Sequence, residues 1–540
     1  MNNVNITSRE LPKTLLEWEN YSSVERPFHL SDDNAGSVNN AEVNNNGRGA
    51  VLVERSVARF DFKDGSTTGI PNTYDVICMT TEEGDIDKTK PIISVELQKM
   101  CLVNMCNSFY YIPRVSDNGK MGSTDNVLLC GKEKPWVRQG GVYIGGNYVV
   151  GPYANVFGGS APLMNDFSTY MNYAFFDNDG NFNNEVMNSS SRWDVVNISD
   201  VLKGRDDNYT GGTHQAGDYK VWRYVTENVI PGGPNRQMNG VSTGIVFKGK
   251  LNGTQIALDN NDLYEEYWNK GFIQNLANCL NGKDFTFNGV TTQLKGNSTN
   301  DPILYYFNGR LYMGWRHIRQ AAIQNSITVN TKGELEINSS NSLYQAVFGD
   351  APIPPSYSKS TENEPVYYIY YDVDGQEYNV IDPLWNENSA KSDAYLNSAN
   401  YAWSVWSQEG REEIKEEEDG VHAAPALANM REKVTGAGIT IYQSSVDATN
   451  GAGYYCYYYY WNRHNDNGLN GTMAPMEFCV VRNNVYKLSV DKISRLGHPR
   501  IPSNDPENPT PDTPDESDEI YLDVKLEIVP WVVRLNSIEF

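Results

Sequence analysis

The stretch EIYLDVKLEIVPWVVRLNSIEF, residues 519–540, closes the chain with a regular alternation of apolar and polar side chains. A period of two in a segment rich in β-forming residues is typical of a half-buried strand. The apolar row consists of Ile520, Leu522, Val524, Leu526 and Ile528. Pro530 interrupts the pattern because it has no N–H for a strand ladder, and Trp531 and Val533 continue it in a new phase.

A proline-rich, acidic segment precedes this strand. Residues 501–518 read IPSNDPENPTPDTPDESD, with five prolines and almost no apolar side chains. Such a segment cannot bury enough apolar surface to order itself, so we expect an extended, polyproline-like tether. The strand then has two alternative partners. It either completes the sheet of its own molecule or is added to the sheet of a neighbouring molecule.

The composition limits the class of protein. A chain of 540 residues with 39% hydrophobic content is long enough for two or three globular domains. The net charge of −24 argues against nucleic acid or an anionic membrane surface as a partner. The seven cysteines are scattered without a CxxC pair, so we expect no disulfide framework, and Cys101 and Cys106 are interpreted as core residues.

Targeting signals are absent from the sequence, although its composition is typical of an exported surface protein. The first residues, MNNVNITSRELPK, lack the basic and apolar regions of a signal peptide, and no apolar run is long enough for a membrane span. The chain is nevertheless rich in Asn, Tyr, Gly and Thr. We therefore expect the native N-terminus to be missing.

Strand-like runs and turn signals predict a mainly β chain. The run 91–115 alternates and then changes phase at Lys99–Met100, which predicts a β-bulge. Hairpins are predicted at four Asx-Gly dipeptides between strand-like runs, at residues 252–253, 288–289, 308–309 and 374–375. Helices are expected as insertions at 261–282, 315–327 and 394–407.

These patterns predict four successive parts of the chain. Residues 1–160 are expected to form an N-terminal β-sandwich domain that is incomplete at its N-terminus. Residues 161–500 are expected to form a second, mostly antiparallel β domain, which carries the helical insertions. The linker at 501–518 and the C-terminal strand segment at 519–540 follow.

The sequence offers no active site. Its six histidines are isolated, and it contains no HExxH, GxSxG or Walker motif, so we expect no enzyme, no cofactor and no metal ion. His317 and His464 are interpreted as surface or packing residues. The aromatic run GYYCYYYYW, residues 453–461, is either a stacking platform for sugars or bases or a strand that covers a core; the second interpretation is favoured because Tyr is a common strand residue.

Motifs spread over most of the chain allow a comparison with a known family. They are VERSVAR (53–59), VELQKMCLVNM (95–105), WRYVTENVIP (222–231), TGIVFKGKL (243–251), VVRNNVYKLSVDKISRLGHP (480–499) and, after the proline-rich segment, VPWVVR (529–534). In these segments the chain resembles the major structural subunit, or fimbrillin, of the short type V fimbriae of anaerobic Gram-negative bacteria. The middle of the chain, roughly 258–450, resembles it less.

The resemblance implies a fold and a mode of assembly. It implies two tandem, transthyretin-like β-sandwich domains, export as a lipoprotein, trimming by an arginine-specific protease, and polymerisation by donor-strand exchange. The C-terminal segment would supply the donor strand, with Ile520, Leu522, Val524, Leu526, Ile528, Trp531 and Val533 filling the groove of a neighbour. No cysteine precedes Val53, so lipidation is implied by the family alone.

The expected function is that of a structural pilin. The chain would form the fimbrial shaft by head-to-tail donor-strand exchange at the cell surface, attached to the outer membrane, and would support adhesion and biofilm formation. Its partners would be other copies of itself, accessory fimbrial subunits, and host or bacterial surface receptors, but not nucleic acid. The alternative is a fimbrial tip or accessory adhesin, or a surface glycan-binding protein, that uses the aromatic runs at Tyr367–Tyr371 and Tyr454–Trp461.

Overall fold

The computed structural model describes 24 stretches of the chain, two of which are single residues. These are residues 56–80, 86–111, 113–116, 119, 128–129, 137–139, 142–144, 148–157, 167–181, 195–204, 219–230, 239–259, 272–287, 289–296, 301–329, 331, 335–349, 357–358, 366–371, 377–381, 396–407, 423–464, 476–510 and 521–530.

The described residues are mainly β, which confirms the predicted class. The strands before residue 240 are β1 (Val57–Asp64), β2 (Thr73–Thr80), β3 (Ile86–Val103), β4 (Met105–Cys106), β5 (Arg114–Ser116), β6 (Leu128–Leu129), β7 (Val137–Gln139), β8 (Val142–Ile144), β9 (Tyr148–Val150), β10 (Met171–Asn172), β11 (Val196–Asn197) and β12 (Lys220–Thr226). The later strands are β13 (Gly244–Gly253), β14 (Phe285–Phe287), β15 (Val290–Thr292), β16 (Leu304–Phe307), β17 (Arg310–Met313), β18 (Ile327–Val329), β19 (Leu335–Ile337), β20 (Tyr357–Ser358), β21 (Val366–Tyr371), β22 (Glu377–Ile381), β23 (Thr440–Tyr442), β24 (Ser444–Asp447), β25 (Gly451–Trp461), β26 (Asn484–Ile493), β27 (His498–Pro499) and β28 (Leu522–Pro530).

Short helices lie between the strands. They are α1 (Ala154–Phe157), α2 (Phe167–Tyr170), α3 (Ile198–Lys203), α4 (Gln255–Asp259), α5 (Phe272–Leu280), α6 (Trp315–Gln324), α7 (Ser342–Phe348), α8 (Ala399–Ser407) and α9 (Ala423–Gly436). The three predicted helical insertions are confirmed at α5, α6 and α8, whereas α9 was not predicted. Of the predicted segment 261–282, residues 261–271 lie outside the described residues.

A four-stranded sheet contains the C-terminal strand. Its order is β12-β1-β26-β28, with β1 and β26 parallel and the other two pairs antiparallel. The alternation in VARFDF turns Ala58, Phe60 and Phe62 inward, where all three are fully buried. Tyr486 on the neighbouring β26 stacks on Phe60 with ring centroids 5.1 Å apart. This row forms one wall of the main core.

A larger, seven-stranded sheet forms the opposite wall. Its central order is β11-β3-β13-β25-β24, with β2 paired to β3 and β27 paired to β25. The register of β3 on β13 shifts between Lys99 and Leu97. The predicted β-bulge is therefore confirmed, one residue from its predicted position. Gly249 lies at this shift, and a Cβ there would meet Val95 Cγ1 at 2.6 Å. Only glycine lets the two strands approach so closely.

The seven-stranded sheet is covered on both faces. On one face Phe247 packs against Phe62 of the four-stranded sheet, with centroids 6.0 Å apart, and the Tyr74 hydroxyl donates to the Val490 carbonyl at 3.0 Å. On the other face Val246 and Tyr457 belong to a second buried cluster. Its remaining members include Val103, Phe175, Phe176, Ile230, Met476 and Cys479. Cys101 and Cys106 are both buried, as predicted.

Three of the four predicted hairpins are confirmed by strand pairing: β14 with β15, β16 with β17, and β21 with β22. The prediction at Asn252–Gly253 is wrong. There the chain leaves β13 and enters α4 instead of returning as a strand. The reason is packing, because Gly253 lies against α5, where a Cβ would be only 2.4 Å from the Cα of Ala277.

Both sheets combine strands from either side of residue 160. In the four-stranded sheet β1 lies between β12 and β26, and in the larger sheet β13 lies between β3 and β25. Strands from both sides of the expected boundary at residue 160 therefore pair in each of the two sheets.

Candidate functional site

The C-terminal strand β28 pairs with β26 of its own chain. The antiparallel register runs from Asn484 opposite Pro530 to Ile493 opposite Leu522, with one irregularity between Val490 and Lys492. Within the described sheet β28 has this single neighbour and forms an edge. Of the two partners that the sequence left open, the isolated chain uses its own sheet.

The two faces of β28 differ in burial as the alternation predicted. Leu522 is buried, and the other apolar side chains of the described row, Val524, Leu526 and Ile528, are half-buried and pack against the main core. Asp523, Lys525 and Glu527 are exposed. The half-buried strand is therefore confirmed over these residues. Ile520, Trp531 and Val533 lie outside the described residues.

The polar face of the strand carries one cross-strand ion pair. Lys487 Nζ on β26 lies 3.5 Å from Glu527 Oε2 on β28. Both side chains are partly exposed, so water and salt screen the attraction and it adds little stability. The apolar face, not this pair, holds β28 to the body.

The first part of the proline-rich segment is docked on the body, which corrects the expectation of an extended tether beginning at residue 501. Pro502–Asn504 form a 3₁₀ turn, and Asn504 is fully buried. The side chain of Asn239 donates a hydrogen bond to the Thr510 carbonyl at 3.1 Å. Proline fits the first position of such a turn. The residue that holds the docked segment, Asn239, is remote from it in sequence. Residues 511–520 lie outside the described residues.

A buried ion pair joins two of the motif-bearing segments and contacts the chain near residue 110. The Arg482 guanidinium, in VVRNNVYKL, donates to both carboxylate oxygens of Glu227, each at 3.0 Å, and Glu227 belongs to WRYVTENVIP. Arg482 also donates to the carbonyls of Tyr110 and Tyr111, at 2.6 and 3.2 Å. Both members of the pair are buried. The sequence reasoning missed this site, although a charged residue within an apolar run was its signal.

A second buried charge cluster links β24 to two central strands. Asp447 accepts hydrogen bonds from Lys99 Nζ at 2.9 Å and from Lys248 Nζ at 2.6 Å. Burial opposes ionisation of this carboxyl group, but the two ammonium groups and the Thr449 N–H outweigh it and hold the pKa of Asp447 well below its usual range. Burial also lowers the pKa of Lys248, against the effect of Asp447. The cluster links β24 to β3 and β13, and its side chains are largely shielded from solvent.

The aromatic run of β25 is part of the core, which confirms the favoured interpretation. Tyr454, Tyr455, Tyr457 and Tyr458 are all buried; Tyr454 and Tyr458 belong to the main cluster and Tyr457 to the second one. These four rings therefore offer no exposed platform to a sugar. The side chains of the other aromatic run, Tyr367–Tyr371, lie outside the described residues.

The two histidines interpreted as surface or packing residues pack against aromatic rings. His464 is buried, and its Nδ1 lies 2.9 Å from the Tyr486 hydroxyl. His317 packs edge-on against Phe272, with centroids 4.8 Å apart. Among the residues that the structure describes there is no group of three or more His, Cys, Asp and Glu side chains placed to hold a metal ion.

Together these features define the class of protein: a mainly β subunit whose last described strand occupies a sheet edge and whose motif-bearing segments meet at buried polar contacts. Residues 452–537 match the family described as major fimbrial subunit protein type IV, fimbrillin, C-terminal. The match spans most of β25 and all of β26 and β28. No curated protein matches the chain.

This match supports the fimbrillin assignment that the sequence motifs suggested. The family is one of structural fimbrial subunits, and it implies a location in a cell-surface fimbrium and polymerisation with other fimbrial subunits. None of the helices in the described ranges has both the length and the apolar character needed to cross a membrane.

Proposed function

We propose that this chain is a structural pilin of a fimbrial shaft and that it assembles head to tail by donating its C-terminal strand. The observation that carries the proposal is the position of β28, which has one neighbour among the described strands, lies at an edge of their sheet and has a half-buried apolar row. In the fimbrium the groove-filling side chains would be Ile520, Leu522, Val524, Leu526, Ile528, Trp531 and Val533. The role is structural and requires no catalytic group.

An edge strand can change partners at a lower cost than an interior strand. Removing β28 breaks one ladder, whereas removing β1 or β26 would split the sheet. Fully burying an aliphatic side chain contributes about 1.5–3 kcal/mol, and Val524, Leu526 and Ile528 are only half-buried in the isolated chain. A groove with strands on both sides would bury them more completely and satisfy the free edge of β28.

The self-paired strand is then the resting form that donation must replace. A strand tethered to its own acceptor experiences an effective concentration in the millimolar range, which a neighbour must exceed by burying more surface. The exchange is one-directional, since each subunit gives its last strand and receives one elsewhere. Contacts of this head-to-tail kind do not close and so produce a filament.

The remaining parts of the proposal follow from this role. The shaft would be attached to the outer membrane after export of a lipoprotein precursor, and would support adhesion and biofilm formation. Other copies of this chain are the principal partners, with accessory fimbrial subunits at the ends and surface receptors as further partners.

A reversible crosslink between β26 and β28 tests strand donation. Lys487 and Glu527 lie opposite each other on the polar face, so the double variant Lys487→Cys/Glu527→Cys can form a disulfide without disturbing the core. We expect the oxidised protein to remain monomeric and reduction to restore filaments, both scored by electron microscopy and sedimentation.

The matched control is Lys487→Ser/Glu527→Ser, which removes the same ion pair without a crosslink and should assemble under both conditions. Mass spectrometry of peptides verifies that the intended cysteines are joined, because native cysteines are also present. Filaments that form equally well from the oxidised protein would show that β28 never leaves β26, and donation from this end would be wrong.

A further inference from the structure

Tyr521, the first described residue of the C-terminal strand segment, is held by aromatic contacts that the strand pattern does not explain. The Tyr521 ring stacks on the imidazole of His498, with centroids 4.7 Å apart and planes 29° apart. The other face of His498 stacks on Tyr459 of β25, at 4.8 Å and 23°. The imidazole therefore lies between the ring of Tyr459 in the body and the ring of Tyr521, which directly precedes β28.

His498 is fixed in place from two directions. Its backbone belongs to β27, where it pairs with Tyr457 of β25. Its Nδ1 contacts Asp505 Oδ2, and both side chains are largely buried. Asp505 follows the docked turn at Pro502–Asn504, so the start of the proline-rich segment orients the imidazole on which Tyr521 rests.

Tyr521 has two further attachments to the chain between β26 and β27. Its carbonyl accepts a hydrogen bond from the Ser494 N–H at 3.0 Å. The Arg495 guanidinium lies over its ring, 5.7 Å from the centroid, and Arg495 in turn pairs with Glu507 at 3.7 Å. Stacking and cation–π contacts of this kind add directional attraction beyond simple burial.

We propose that Tyr521, His498 and Arg495 form a clasp that keeps β28 in its self-paired position, and that opening of this clasp precedes strand donation. The first half of the proposal concerns the isolated chain, and the second half rests on the proposed function. The clasp acts on the segment that would be donated, so it controls when the strand becomes available and not which groove accepts it.

Opening the clasp would change how far the strand can reach. While Tyr521 is held, the chain is attached to the body directly before β28. Once Tyr521 is released, the nearest described attachment before it is the hydrogen bond from the Asn239 side chain to the Thr510 carbonyl. Residues 511–520 then become part of the reach, which ten residues can extend by at most about 35 Å. The proline-rich segment is useful to donation only after the clasp opens.

Hydrogen exchange on the full-length monomer tests the clasp. We expect Tyr521→Ala to speed amide exchange of residues 522–530 about tenfold, which is the effect of losing roughly one ring contact. Tyr521→Phe keeps the ring and should exchange like the unmodified protein. Exchange of β1 and β13 should not change in either variant, because these strands lie in the interior of the two sheets.

Filament growth, measured on the same variants, separates the two halves of the proposal. Faster exchange with a shorter assembly lag in Tyr521→Ala supports both. Faster exchange with no filaments from any variant, or from the unmodified chain, supports the clasp and contradicts strand donation. Unchanged exchange of 522–530, or an increase spread equally over β1 and β13, overturns the clasp. Faster exchange with an unchanged or longer lag overturns its place before donation.

Discussion

At the scale of single residues, Asn104 joins segments that are far apart in the sequence. It is fully buried and adopts a left-handed backbone with φ of 53°. Its side-chain oxygen accepts from the Phe175 N–H at 2.8 Å, and its amide nitrogen donates to the carbonyls of Asn239 and Ser242 at 2.7 and 2.9 Å. Asparagine suits the site because it tolerates a left-handed conformation and can both donate and accept.

Replacing Asn104 by alanine should therefore be strongly destabilising. The variant leaves one buried N–H and two buried carbonyls without these partners, each at a cost of about 1–3 kcal/mol, and adds left-handed strain of about 1–2 kcal/mol. Because local relaxation recovers part of this, we expect a loss of roughly 3–5 kcal/mol in the free energy of unfolding. Urea unfolding followed by tryptophan fluorescence measures it.

Asn308→Ala is the matched control. Asn308 also has positive φ, at 44°, but it is exposed in the turn between β16 and β17. This variant carries the backbone strain without the buried polar groups, so its loss should stay near 1–2 kcal/mol. Equal losses in the two variants would mean that the hydrogen bonds of Asn104 contribute nothing.

The sequence could identify these residues only in part. Asn104 stands out as the polar residue in the apolar run MCLVNMC, residues 100–106, but its partners at 175, 239 and 242 are distant along the chain. Arg482 and Glu227 pose the same problem, because each resembles an ordinary surface charge until the fold brings them together. Local patterns predict which face of a strand is buried. They do not predict which remote polar group will bond to a polar side chain on that face.

At the scale of secondary structure, β28 and the segment before it show where local patterns succeed. A period of two depends only on the chain itself, so the strand and its buried face could be predicted. The docking of residues 501–510 could not, since it depends on Asn239 and His498. The aromatic run of β25 likewise indicated a strand that covers a core, whereas the burial of both its faces and the identity of the two covering clusters were not indicated.

The link between β24 and the central strands makes stability depend on pH. The pKa of Asp447 is lower in the folded chain than its ordinary value near 3.8. The unfolded state therefore binds the proton more readily, and the stabilisation is complete above pH 4–5 and is lost as the pH falls below about 4. We expect the unfolding free energy to drop on acidification, measured by urea unfolding between pH 6 and pH 2.5.

Asp447→Asn isolates this contribution. At pH 6 it leaves Lys99 and Lys248 without their carboxylate and should cost about 3–5 kcal/mol, as for other broken buried pairs. The difference from the unmodified chain should shrink as the pH falls below about 4. Asp200→Asn, which removes an exposed partner of Lys203, serves as the control and should have little effect. A pH-independent difference for Asp447→Asn would contradict the assignment.

At the scale of the whole molecule, the order of strands is the feature that sequence patterns could not supply. β1 lies between β12 and β26, so strands more than 400 residues apart are hydrogen-bonded neighbours. Hairpin signals predict pairing between adjacent strands, and they are silent on such distant pairs. The two tandem sandwiches implied by the family resemblance stay a prediction, and the shared sheets suggest how to test it.

Fragments cut at residue 160 provide that test. Removing residues 1–160 takes β1 from between β12 and β26 and β3 from beside β13, so each fragment loses interior strands of both sheets. We expect residues 1–160 alone to show no cooperative unfolding, and the intact chain to unfold in a single transition. Circular dichroism and urea titration of both fragments, separately and mixed, measure this. If residues 1–160 unfold cooperatively on their own, they form an independent domain, and the sheets that span the cut are not required for its stability.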